Sequence, residues 1–176
     1  STAKEPARSI LQSLTAGAYW NWFQQNRYPL YNRTNTENFK KEDLATWTAD
    51  DLHKKISELY LASIDDDKLL QQTRLDTYDP VIIKGNVRHL RPTLYDLLAH
   101  EALDYFKNDE RTISKPAYAF EIDNATAFSD VKVFINYRFN TRDTASLHFK
   151  ALQLLQQLLQ FHVDDAKPDA AIVQPR

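Results

Sequence analysis

The chain predicts a mainly helical fold, either an antiparallel helix bundle or a short helical-repeat (solenoid-like) fragment. Three observations carry that prediction. Apolar residues recur at helical spacing over several long stretches, prolines and capping side chains punctuate those stretches, and only two glycines, Gly17 and Gly85, serve all 176 residues. So few glycines leave little supply for turns of positive φ or for a backbone cradle around a phosphate.

Pro6 opens a run in which Ile10, Leu11, Leu14, Ala18 and Trp22 share one face, which predicts a first helix over residues 5 to 26, ended by Tyr28-Pro29. The polar stretch from Tyr31 to Asn38 reads as loop. Thr48 with Asp51 three residues on approximates a capping box ahead of Leu52, Ile56, Leu59, Tyr60 and Ile64. Asp65, Asp66 and Asp67 suit the N-terminus of a further short helix through Gln72, with one continuous helix over 49–72 as the alternative. Val81-Ile82-Ile83 lies between Asp79-Pro80 and Gly85-Asn86 and reads as extended chain.

Pro92 opens the clearest helix, with Leu94, Leu97, Leu98, Ala102, Tyr105 and Phe106 along one stripe and Asp96, Asp104 and Lys107 off it. Around 117–139 the period changes: Tyr118, Phe120 and Ile122 alternate with other residues, as do Val131, Val133, Ile135, Tyr137 and Phe139, which predicts a small β-hairpin or two extended covering segments. Asp143 or Thr144 is expected to cap a last helix that runs to about residue 162, with Leu147, Ala151, Leu154, Leu155, Leu158 and His162 on one face. Lys167-Pro168-Asp169 looks like the entrance of another helix.

The length suits a single helical domain over 1–176, burying about 70% of the surface that the unfolded chain exposes. No Met occurs and the chain starts at Ser1, so it is read as a fragment of a longer protein. A net charge of -2 supplies no field to recruit nucleic acid or an anionic membrane, and no apolar run approaches the ~20 residues of a span, so neither partner is expected. With no cysteine there is no thiolate metal site, catalytic thiol or disulfide.

The candidate chemistry is sparse. His100-Glu101 with Asp104 invites comparison with the helical zinc-protease pattern, but the second histidine is replaced and no third ligand is evident. Asp65–Asp67 lacks the interleaving and the turn glycine of a calcium loop. No serine lies on a glycine-flanked elbow, and the sequons at Asn32 and Asn124 matter only in a eukaryotic secretory setting. Neither catalytic residues nor a metal or cofactor are expected. The one concentrated feature is aromatic: Tyr19, Trp20, Trp22, Phe23, Tyr28 and Tyr31 are too many for one helical face to bury. They read as core covered by the 27–40 loop, or in part as an exposed patch that contacts a protein partner.

Tyr19-Trp-Asn-Trp-Phe-Gln-Gln-Asn-Arg27, Tyr31-Asn-Arg-Thr34, Thr36-Glu-Asn-Phe39, the stretch Leu90–His100 and the stretch Ala151–His162 resemble the N-terminal helical part of very large bacterial alpha-2-macroglobulin-like envelope proteins. The likeness covers most of the chain. It implies a module upstream of macroglobulin-type β-sandwich domains, in a periplasmic or cell-envelope protein that is lipid-anchored elsewhere in its chain. Proteins of that family trap proteases through a bait segment and, in many members, a Cys-Gln thioester; this chain has no cysteine to form one. The resemblance implies an accessory domain without catalysis, a spacer, docking surface or support. Its partners are then the adjacent domains of the parent chain, with other envelope proteins or proteases engaged through that parent. The alternative from a different class is a freestanding helical-repeat module that binds proteins or peptides.

Overall fold

The computed structural model describes residues 3–31, 43–83, 85–86, 88–108, 117–122 and 125–164. Mainly helical architecture is what the described residues adopt, with six α-helices, short 3-10 turns, one isolated antiparallel bridge and no strand among them. The sequons at Asn32 and Asn124, most of the 27–40 loop and the Lys167-Pro168-Asp169 stretch lie outside the described residues. Contacts divide the chain into two compact units, Ser1–Leu69 and Leu70–Arg176.

The first unit is a helical hairpin of α1 (Ala7–Tyr31) and α2 (Ala49–Ser63). α2 starts where its capping box requires: Thr48 Oγ1 accepts the Asp51 N–H, and the Asp51 carboxylate accepts the Thr48 N–H at 3.0 Å. The two helices run antiparallel, since Gly17 lies by Tyr60 while Phe23, further along α1, lies by His53, nearer the start of α2. Pro29 does not end α1; the helix continues to Tyr31, and Leu30 is buried beyond the proline with Phe23, Trp47 and Leu52. At its other end α2 stops at Ser63, so the 49–72 stretch is two helices, α3 being Asp67–Gln72.

The face of α1 turned inward is not the one its hydrophobic pattern indicates. Leu11 and Leu14 are 46% and 65% exposed and Ala18 is exposed too, whereas Ser9, Ser13, Ala16 and Phe23 are buried. In this hairpin α2 supplies the bulk, with Leu52, Ile56 and Tyr60 all buried. α1 answers with small residues: a Cβ on Gly17 would sit 3.7 Å from the Tyr60 hydroxyl. Close approach of the backbones outweighs the transfer of two more leucines.

The second unit is built on α4 (Leu94–Phe106) and α6 (Leu147–Asp164). They are antiparallel: Tyr95 meets Phe161 edge-on at 5.6 Å, while the Lys150 ammonium lies over the Phe106 ring at the other end. The stripe read on α4 is buried at Leu94, Leu98, Ala102, Tyr105 and Phe106, and α6 contributes Leu147, Ala151, Leu154 and Leu158, with Leu155 only half-buried. A bridge between Arg74 and Thr93 closes the preceding loop; the Leu94 N–H, one of the donors a helix start leaves unsatisfied, reaches the Thr73 carbonyl at 2.7 Å. Across the same loop Arg88 bonds the Asp79 carboxylate and the Leu75 carbonyl. Val81 and Ile82 donate to the Tyr78 carbonyl, so that segment is a turn and not extended chain.

Two expectations are corrected between the main helices. Val131–Asn136, read as alternating extended chain, is the short helix α5, because Asp130 caps it by accepting the Val133 N–H. At its far end Gln156 of α6 donates to the Phe134 and Tyr137 carbonyls, satisfying acceptors that a helix terminus leaves open. α6 itself is capped at Ser146, whose hydroxyl accepts the Phe149 N–H, while Asp143 accepts the Phe120 N–H instead.

Leu98→Ala is expected to destabilise the fold by ~2 to 5 kcal/mol in urea titration, because its side chain fills the α4 seam. Gly17→Ala is expected to stabilise by about 0.5 to 1 kcal/mol in the same measurement, since its Cβ meets an ordinary van der Waals distance inside a helix.

Candidate functional site

The aromatic group singled out in the sequence begins in the α1–α2 seam. Phe23 is fully buried, and Tyr19, Trp20 and Trp22 pack half-buried against the Phe23–Leu30–Trp47–Leu52 cluster. Trp20 stacks on Phe23 at 5.4 Å, Phe23 meets His53 edge-on at 4.6 Å, and Tyr19 stacks on Trp47 at 5.8 Å. Such offset and edge contacts add to area burial at the hairpin seam. Tyr28 stands apart, 72% exposed, with the Arg27 guanidinium 5.2 Å from its ring centre. The side chain of Tyr31 lies outside the described residues.

Sequence reading missed a buried polar constellation of the second unit, which centres on Asp96. That side chain occupies the third position of α4 and closes a capping box: Oδ2 accepts from the Thr93 N–H at 3.1 Å and from the Thr93 hydroxyl at 2.8 Å. Its other oxygen, Oδ1, accepts from His162 Nε2 at 2.9 Å, with the two side chains 0% and 7% exposed. His100, one turn along α4, donates from Nδ1 to the Asp96 carbonyl at 2.7 Å. The signal was present: Thr93-Leu-Tyr-Asp96 repeats the Thr48-Ala-Asp-Asp51 spacing, and His162 ends an otherwise apolar stripe.

This arrangement limits what the pair can do. A general base must reach a substrate proton, yet His162 spends Nε2 on a carboxylate and is closed to solvent. Both Asp96 oxygens are committed to the cap and to the tie with α6. The residues once weighed as zinc ligands are engaged separately: His100 Nδ1 faces a backbone carbonyl, and Asp104 pairs with the Lys107 ammonium at 2.7 Å. Among the described residues no three His, Asp or Glu side chains converge on a metal position. Asp65, Asp66 and Asp67 lie exposed at the start of α3, where Asp66 accepts the Leu69 N–H.

Burial lowers the His100 imidazole below its ordinary 6.5; the Asp96 carbonyl opposes that shift and the Arg91 charge adds to it. Partial burial raises the Glu101 carboxyl, with the Asp104 charge adding to the effect. For His100 the unfolded chain takes up its proton first. Stability is therefore unaffected by this group above pH 6.5 and falls as the pH drops from 6.5 toward the lower pKa of the folded state.

Thermal melts at pH 7.5 and 5.5 are expected to show a smaller acid-induced loss in His100→Gln than in the parent chain, and the His100 ring resonance is expected to titrate below 6.5 by NMR. His162→Leu is expected to cost about 3 to 5 kcal/mol in urea titration, because it leaves a buried carboxylate without its partner. No protein-family model matches the chain, and neither a curated protein nor a solved structure matches it.

Proposed function

We propose that the chain is a non-catalytic helical scaffold module of a large alpha-2-macroglobulin-like envelope protein, a spacer or support for the β-sandwich domains that follow in such proteins. The observation that supports the reading is the commitment of Asp96: its two carboxylate oxygens hold the α4 cap and the tie to His162 Nε2 on α6, and both side chains are buried. Three of the segments on which the resemblance rests lie among the described residues and are structural in the same sense. Tyr19–Arg27 supplies the aromatic seam of the hairpin, Leu90–His100 contains the α4 capping box, and Ala151–His162 is the face of α6 that packs on α4.

On this reading the module's direct partners are the neighbouring domains of its own parent chain. Proteases and other envelope proteins are engaged through the parent, in the periplasm. Any trapping chemistry belongs to those other domains.

Two measurements test this. The purified chain, mixed with trypsin, is expected to leave cleavage of a chromogenic peptide unchanged. Added in trans to the sandwich domains encoded beside it, the chain is expected to raise their melting temperature. Inhibition by the chain alone, turnover of a substrate by it, or an open reading frame without sandwich domains overturns the proposal.

A further inference from the structure

We draw no further inference here: the strongest candidate, the exposed apolar tip that Val81 and Ile83 form on the loop between α3 and α4, carries nothing because nothing in the structure shows what covers it.

Discussion

In the second unit the Asp96 carboxylate is taken wholly out of water and repaid by three donors, the Thr93 amide, the Thr93 hydroxyl and His162 Nε2. A carboxylate of this kind is costly to bury and tolerable only when its lone pairs are filled, so each donor constrains the others. The cap sets where α4 begins, and the histidine sets the register of α6 against it. With that register in place, Tyr95 meets Phe161, Lys150 reaches the Phe106 ring, and Gln156 is positioned to close the end of α5. One side chain thus ties the start of α4 to the end of α6.

The first unit rests on shape. Large residues on α2 and small ones on α1 bring two backbones close, with Gly17 at the Tyr60 hydroxyl and the ring stack of Trp20, Phe23 and His53 further along. The consequence is an α1 with two apolar faces, one used inside the hairpin and one carrying Leu11 and Leu14 at the surface.

Much of the local structure was legible from residue order. The Thr48 cap, the starts of α2 and α4, the stripe on α4 and the apolar face of α6 all follow from signals within a few residues of the feature they specify. Errors fell where a distant partner decides. Alternating Val131, Val133 and Ile135 looked extended, but the Asp130 cap and the Gln156 contact from α6 favour a helical turn there. Helical spacing sets Asp96 off the α4 stripe, yet it is buried, and one of the donors that fill its lone pairs, His162, lies 66 residues on.

The sequence by itself determined that this chain is helical, where most of its helices begin, and that it lacks the residues for thiol chemistry. Backbone state and helix ends are set by propensity and capping, which act over one or two turns. Only the tertiary structure decided which face of α1 points inward and which polar pair is sealed in the second unit. Those choices depend on the volume and charge that another element brings to the seam, and such properties are carried by residues far away in the chain.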